Sequence, residues 1–400
     1  MFTIQLLNPI ATIGLEQFPR HLYCISDDQP DAYLVRSHMM HGMTIPESVK
    51  VVGRAGAGVN TIPVNALTQR GIPVLNTPGA NANAVRELVL AGMLLASRNI
   101  CQAWHYVNNL TADSETLEKE IEKSKKQFVG FELMGKTLGV IGLGSIGVKV
   151  ANAALGLGMR VIGYDPTMTV SRAWELSSNV QQAHQLEEIL AQSDFISFHV
   201  PLNQHTKHMI NAERLQTMQK KVVLLNFARA AIVDNQALLD ALNEGHVHAY
   251  VSDFPIPELK NHSRVISLPH LGASTVEAEN NCAVMIVKAV RDYLEHGAIG
   301  ASVNFPQVDV LPHQTGVRLA IVNANIPNMV AQISAKLADA GLNIISLLNH
   351  SRDEIAYTLI DVPQDVSESV LTHIAYIEGV LHCRKLLSQE ARQAALLIKN

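Results

Sequence analysis

Between residues 137 and 270, six short apolar runs (TLGVIGL, MRVIGYD, FISFHV, KVVLLNFA, HAYVSDF and VISLPH) recur with helical stretches between several of them. Strands alternating with helices at this spacing are the pattern of a doubly wound parallel sheet, a fold in which ligands collect at the carboxyl ends of the strands. Residues 1–98 show the same rhythm on a smaller scale: YLVRS, VKVVGRAG and IPVLNT alternate with helical stretches such as 83–98. The expectation is an α/β protein with two Rossmann-like domains.

Two further segments differ in character. Residues 112–126 (ADSETLEKEIEKSKK) are rich in Glu and Lys at helical spacing, with Leu117 and Ile121 as a narrow apolar seam. Such a segment reads as a solvated connecting helix, or as a contact surface for another subunit. Residues 304–316 (NFPQVDVLPHQTG) carry two prolines and read as a linker. Beyond it, RLAIVNAN, a helix over 328–341, NIISLLNH, IAYTLIDV and a helix over 365–376 predict a small ferredoxin-like βαββαβ module spanning 316–390.

Composition narrows the function classes. A chain of 400 residues with 48% hydrophobic content has room for two or three buried cores. Thirty-one Lys and Arg against 36 Asp and Glu give a net charge of −5 without a long single-sign block, so the footprint of a nucleic-acid binder is missing. Cys24, Cys101, Cys282 and Cys383 are far apart and form no CxxC, which argues against a disulfide framework and a structural zinc site. The first basic residue is Arg20, and no uncharged apolar run reaches the roughly 18 residues of a membrane span, so a cytoplasmic protein without membrane contact is expected. His246 and His248 stand two apart, but no third ligand is evident nearby, and no metal is expected.

The sharpest motif is Gly142-Leu143-Gly144-Ser145-Ile146-Gly147, directly after the run TLGVI and before a helical stretch. Its glycines serve a tight turn, close approach of the backbone to a pyrophosphate, and close packing of helix on strand, while the helix N-terminus faces the phosphate charge. The next strand ends in Asp165, 18 residues after Gly147, about where an acid accepts hydrogen bonds from the adenosine ribose. A carboxylate there repels a 2′-phosphate, so NAD is expected rather than NADP. Arg229, Glu258 and His270 follow successive later strands. Oxidation of a secondary alcohol by hydride transfer needs a base for the hydroxyl proton, a role histidine suits; a carboxylate beside it steadies the protonated form, and a guanidinium pins a substrate carboxylate.

These residues stand in segments that resemble the D-2-hydroxyacid dehydrogenase family over nearly the first 305 residues: VGRAGAGVN (52–60), NTPGANANAVRELV (76–89), GKTLGVIGLGSIG (135–147), HVPL (199–202), NFARAAIVD (226–234), SDFPIPE (252–258) and LPHLGAST (268–275). The resemblance implies catalytic roles for Arg229, Glu258 (five residues after Asp253) and His270. It also implies that Asp253 contacts the nicotinamide amide, that Thr77 lies near the cofactor, and that the backbone of Ala55, Gly56, Ala57 and Gly58 receives the substrate carboxylate. A substrate-binding domain of residues 1–98 with 292–305 and an NAD-binding domain of residues 99–291 follow from the family's topology, with the active site in the cleft between them.

The C-terminal module resembles an ACT domain, a βαββαβ unit that often binds amino acids at a domain pair. Within the family this attachment is typical of members that oxidise 3-phosphoglycerate at the start of serine synthesis, assembled as homodimers or homotetramers. L-serine or another amino acid is then the expected effector, at Asn323, Asn325 and Asn343. Several positions depart from the family pattern. Asn323 replaces a His, Asn328 the Gly of a Pro-Gly turn, Ala230 the Gly after the arginine, Asn60 an Asp, and Ser37-His38-Met39-Met40 the usual Ser-x-Thr-Lys. Arg54 is left as the expected phosphate ligand. Two other readings stay open: a dehydrogenase of the same fold acting on glycerate, lactate or another 2-hydroxy acid, and a dinucleotide-sensing interaction protein like the corepressors that share this fold.

Overall fold

The computed structural model describes residues 1–111, 114–313 and 316–388. Ala112 and Asp113 of the Glu/Lys-rich segment, and the last residues expected in the C-terminal module, lie outside them.

The first sheet holds β1 (Phe2–Leu6), β2 (Tyr23–Ile25), β3 (Ala32–Val35), β4 (Val51–Arg54) and β5 (Val74–Leu75), all parallel, in the order β2-β1-β3-β4-β5. The second holds β6 (Thr137–Ile141), β7 (Arg160–Tyr164), β8 (Gln181–Gln182), β9 (Phe195–Phe198), β10 (Val222–Asn226), β11 (Val247–Ser252) and β12 (Val265–Ser267), also parallel, in the order β12-β11-β10-β9-β6-β7-β8. The six predicted strands are all present, and β8 is the addition. Its two glutamines are exposed, so no apolar run marks it in the sequence. Strand order reverses at the β6/β9 pair, where a doubly wound sheet opens its crevice. The third sheet is antiparallel, with β13 (Val317–Ala324), β14 (Ser346–Arg352), β15 (Ile355–Val362) and β16 (Val380–Leu387) in the order β14-β15-β13-β16. With the helices Met329–Asp339 and Glu368–Ala375 it forms the expected βαββαβ module.

Two compact units result: residues 1–80 with 279–388, and residues 81–278. These divisions differ from those drawn on the sequence at two helices. The helix Ala82–Ser97 buries Val85, Val89, Met93 and Ala96 in one cluster with Leu138, Val140 and Val148, so it belongs with the second sheet. The helix Val276–Arg291 buries Ala283, Ile286, Val287 and Val290 against Ile4, Leu34 and Val51, so all but its first turn belongs with the first. An apolar stripe shows that a helix is covered on one side; which sheet covers it is a tertiary matter.

The segment expected as a linker is packed instead. Phe305 and Val308 are fully buried, Val308 bridges Ile299, and Ser302 bridges Leu75 at the edge of the first sheet. The Asn304 carboxamide accepts from the Val74 N–H at 2.8 Å and donates to the Ile72 carbonyl at 3.0 Å, doing the work of a strand where none is formed.

The C-terminal module docks on this unit through the sheet face its helices leave open: Ala320, Val322, Tyr357, Leu359 and Leu386 share a core with Ile4, Leu34 and Tyr293. Two buried arginines make the docking specific. The helix ending at Arg291 continues as a π-turn, Asp292–His296, closed by Gly297 in the left-handed region (φ 77°). Helix ends leave carbonyls without intrahelical partners. Arg384 donates to the Tyr293 and Leu294 carbonyls at 2.6 and 3.3 Å with its guanidinium 4.2 Å from the Tyr293 ring. Arg318 pairs with both oxygens of Asp361 at 2.6 and 2.9 Å and donates to the His296 carbonyl at 3.0 Å. Among the described residues no helix is long and apolar enough to cross a membrane.

His382 stands in the same strand as Arg384, with its Cβ 3.5 Å from the position a side chain on Gly71 would take. Burial first, then the positive charges of Arg384 and Lys50, push its imidazole down from 6.5 to about 4. A lowered folded value means the unfolded chain binds the extra proton between roughly pH 6.5 and 4, so stability falls as the pH drops through that window. Thermal unfolding of the wild type and of His382→Gln at pH 7 and pH 5 checks this. The variant is expected to lose less on acidification, and equal losses would remove His382 from the pH dependence.

Candidate active site

β6 runs into the glycine loop, and each glycine there meets a different constraint. Gly142 has φ 92°, and a Cβ on it would stand 2.8 Å from the main-chain carbonyl of His199. Gly144, the N-cap of the helix Ser145–Gly156, is exposed and has no atom within 4 Å of its Cβ direction, which leaves room for a phosphate group at the helix N-terminus. A Cβ on Gly147 would lie 1.9 Å from the Gly142 carbonyl oxygen, so loop and helix close only with hydrogen there. Ser145 and Ile146, half-buried, form the first turn. Asp165, just past β7, is already oriented: one carboxylate oxygen accepts the Leu143 N–H at 2.8 Å, the other the Thr167 N–H and hydroxyl at 2.8 and 3.0 Å. The cradle and the acid fit a dinucleotide.

His199 closes the floor of this loop. Its Nε2 lies 2.8 Å from the Ser197 hydroxyl, and burial pushes the imidazole down to about 3, so it is neutral at physiological pH. The glycine geometry carries a direct expectation for Gly147→Ala. Because the clash is with backbone, the loop must open, and NADH affinity measured by fluorescence titration should fall at least about tenfold; unchanged affinity would contradict the cradle.

β10, β11 and β12 lie side by side, and the residues after them make a second cluster. Arg229 follows β10, half-buried, with its Nη1 donating to the Ala228 carbonyl at 2.6 Å. Burial lowers its pKa from the ordinary 12.5, the direction expected for a desolvated cation. Ala230, in place of glycine, starts a short 3-10 turn and has no positive φ. Asp253 ends the β11 region, 1% exposed, and its carboxylate accepts the Leu271 and Gly272 N–H groups at 2.7 Å each, while its carbonyl accepts the His270 N–H at 3.1 Å. Burial raises its pKa and the two amides oppose that shift. Both carboxylate oxygens are therefore engaged by the histidine loop, a role the expected nicotinamide contact did not include.

His270 is exposed and held in the left-handed region (φ 58°), where a residue other than glycine is uncommon. Its ring centroid lies 5.0 Å from that of Phe254, and the Arg229 guanidinium carbon lies 6.0 Å from the same Phe254 centroid. The cluster is thus Arg229, Phe254 and His270. Glu258, exposed in the turn beyond, makes no hydrogen bond to His270 among the described residues. Phe254 lies in the segment SDFPIPE but carries no role there by residue type alone; its place beside Asp253 was the available signal.

In the other unit, Arg54 ends β4 and its guanidinium lies over Gly56, where a Cβ would meet Nη1 at 2.1 Å. The amides of Ala55 and Gly56 are spent on the Val35 and Arg54 carbonyls, whereas those of Ala57 and Gly58 make no hydrogen bond among the described residues. The N–H of buried Thr77 donates to the Gly56 carbonyl at 3.1 Å. Met40, where the family pattern has lysine, is fully buried among Val49, Val52 and Ile62, so this position faces the core. A second cation was overlooked. Arg36 follows β3 on a loop whose three N–H groups, at Arg36, Ser37 and His38, all donate to the Asn8 side chain, and it pairs with Glu279 at 2.5 Å. The charges of Arg54 and Arg36 both act on the buried Cys282 thiol, although burial still pushes that thiol up.

The three asparagines expected at an effector site have different surroundings. Asn323 is 1% exposed, its amide bonded to the Ala324 carbonyl and its oxygen accepting from Thr358, while Asn325 and Asn343 are exposed. Asn328 takes the left-handed conformation (φ 70°) that its glycine counterpart would favour. Among the described residues no group of three His, Cys, Asp or Glu is placed to hold a metal.

Residues 90–272 match the family described as D-isomer specific 2-hydroxyacid dehydrogenase, NAD binding domain. The chain is 36% identical over 311 residues to the D-3-phosphoglycerate dehydrogenase of Methanocaldococcus jannaschii, covering 76% of this chain and 56% of that protein, so it spans about half of that relative's length. It is 30% identical over 403 residues to the D-3-phosphoglycerate dehydrogenase of Escherichia coli, covering 95% and 94% of the two chains. The solved structure of NAD+-bound 3-phosphoglycerate dehydrogenase from Entamoeba histolytica superposes with a TM-score of 0.59 at 26% identity, over 76% of this chain and 98% of that one. The chain belongs to the D-isomer specific 2-hydroxyacid dehydrogenases, NAD-dependent oxidoreductases.

Proposed function

We propose that this chain is a D-3-phosphoglycerate dehydrogenase, oxidising 3-phosphoglycerate to 3-phosphohydroxypyruvate in the first step of L-serine biosynthesis. The observation that carries the reading is the Arg229 and His270 pair, held at the ends of β10 and β12 on either side of β11, in the unit that also contains the dinucleotide cradle. NAD supplies the hydride acceptor. Arg229 grips the substrate carboxylate with a charge-assisted, bidentate geometry and leaves the adjacent carbon to react. His270 takes the hydroxyl proton as hydride leaves that same carbon, and returns it in the reverse direction. Glu258 steadies the imidazole once it is charged. Asp165 accepts from the ribose hydroxyls and disfavours a 2′-phosphate by like-charge repulsion. The substrate phosphate falls to Arg54, with Arg36 as a second cation and the Ala57 and Gly58 amides as neutral donors.

The βαββαβ module supports an ACT-type regulatory role with L-serine or another amino acid as ligand. Asn325 and Asn343 are exposed to meet such a ligand, while the buried Asn323 sets the fold beneath them. A homodimer or homotetramer fits the helix Ile100–Asn108, which has no buried residue and exposes Ile100, Trp104 and Val107. Four free cysteines suit a reducing cytoplasm. The buried Met40 keeps one second reading in view, an enzyme for an unphosphorylated acid such as glycerate or lactate.

NADH formation with 3-phosphoglycerate, D-glycerate and D-lactate, with and without L-serine, tests the proposal. Selective turnover of the phosphorylated acid is expected, and turnover confined to an unphosphorylated one would move the reading to the second alternative. His270→Ala should lower kcat by about 10² to 10⁴ while NADH binding persists; near-native turnover would remove it from the chemistry. Arg54→Ala should raise KM for 3-phosphoglycerate by about tenfold or more and hardly change turnover of glycerate. Equal losses on both would place the phosphate contact elsewhere.

A further inference from the structure

We propose that Phe254 is a positioning residue for the oxidation, an aromatic spacer that holds the Arg229 guanidinium and the His270 imidazole at a fixed separation; this rests on the roles given to those two residues above. The argument begins with strand register. Asn226 of β10 pairs with Ser252 of β11, and Ser252 pairs with Ser267 of β12, so the three strands end level. Arg229, Phe254 and His270 lie three, two and three residues past those level positions. The ring therefore comes from the middle strand, flanked by a cation from one neighbour and the acid-base group from the other, and the separations of 6.0 and 5.0 Å agree.

The base of the ring cannot drift. The Phe254 N–H donates to the Ser252 hydroxyl at 3.1 Å, and Ser252 is fully buried. Its neighbour Asp253 is tied on three sides: its N–H to the Asn226 carbonyl at 3.1 Å, its carboxylate to the Leu271 and Gly272 amides, and its carbonyl to the His270 N–H. The same dipeptide thus fixes the His270 backbone through Asp253 and faces the His270 ring through Phe254.

The chemistry calls for such a spacer. A 2-hydroxy acid offers its carboxylate and its hydroxyl on adjacent carbons, so the two protein groups must stand side by side without bonding to each other or to a shared water. Once the imidazole carries the proton, it and the guanidinium are like charges. A ring face attracts a guanidinium, tilted aromatic contact steadies an imidazole, and a hydrocarbon ring offers neither a competing hydrogen bond. An aliphatic side chain fills the space but supplies no face.

Phe254→Leu and Phe254→Tyr separate these properties. Leu keeps an apolar side chain and loses the ring; Tyr keeps the ring. With 3-phosphoglycerate, Leu is expected to lower kcat/KM by about tenfold, through both kcat and KM, and Tyr to stay within about threefold of wild type. NADH affinity, measured separately, should be unchanged in both and reports that each variant is folded. Wild-type kcat/KM in Phe254→Leu, or losses equal in Leu and Tyr, overturns the proposal. If the wild type oxidises a different 2-hydroxy acid, the functional reading fails on that result, and the same Leu-against-Tyr contrast on that acid decides the role of Phe254.

Discussion

Strands that are all parallel must end on the same edge of their sheet, and this constraint organises the chemistry of the chain. In the seven-stranded sheet every return passes through a crossover, so the loops after β6, β7, β10, β11 and β12 emerge together. Gly142, Asp165, Arg229, Asp253 with Phe254, and His270 occupy those loops. Residues up to 128 positions apart in the sequence are thereby brought to one edge, with the glycine cradle and His270 in the same compact unit. Asp253 shows how closely the loops are bound to one another. A carboxylate that is 1% exposed is costly unless its oxygens are met by donors, and two amides of the histidine loop meet them. The histidine loop and the end of β11 therefore form a single piece of structure, and the left-handed His270 backbone is held within it.

A different electrostatic solution holds the C-terminal module. Arg384 and Arg318 are 8% and 5% exposed, and their guanidinium groups are met by the Tyr293, Leu294 and His296 carbonyls and the Asp361 carboxylate. The carbonyls at the end of the 276–296 helical segment face two guanidinium groups, which complements the negative end of the helix dipole. Removing Arg318 would leave the Asp361 carboxylate without its ion-pair partner, and losses of about 3 to 5 kcal/mol are typical for a broken buried ion pair. The module is thus built into the same core as the first sheet. The helical segment it caps also carries Glu279, the partner of Arg36, at its other end, so module, helix and the loop after β3 belong to one continuous packed element.

Much of this was legible from residue patterns, because the relevant signals are local. The apolar runs found their strands, GLGSIG its turn, and the acid 18 residues later its place beside Leu143. The glycine roles are legible in the motif, since a positive φ or a forbidden Cβ is a property of the turn itself. The βαββαβ module was likewise visible as alternating elements. Three features were not. The helices 82–97 and 276–291 carry stripes that fit either sheet, and only packing chose. The proline-bearing stretch 304–313 has the composition of a linker, but Phe305 and Val308 find a hydrophobic core to enter. Arg36 carried no motif, and its importance lies in a neighbour 243 residues away.

The sequence by itself determined the fold class, the family and the dinucleotide cofactor, and it singled out Arg229, Glu258 and His270 as candidates, because turn geometry, strand periodicity and motif spacing are encoded over a few residues. Tertiary structure alone decided which residues touch. It buried Met40 and Asn323, set Phe254 between the guanidinium and the imidazole, turned Asp253 toward the histidine loop, and folded the C-terminal sheet onto the first one. The physical reason is that burial and long-range pairing depend on which surfaces meet, and a one-dimensional pattern records only that a surface needs covering.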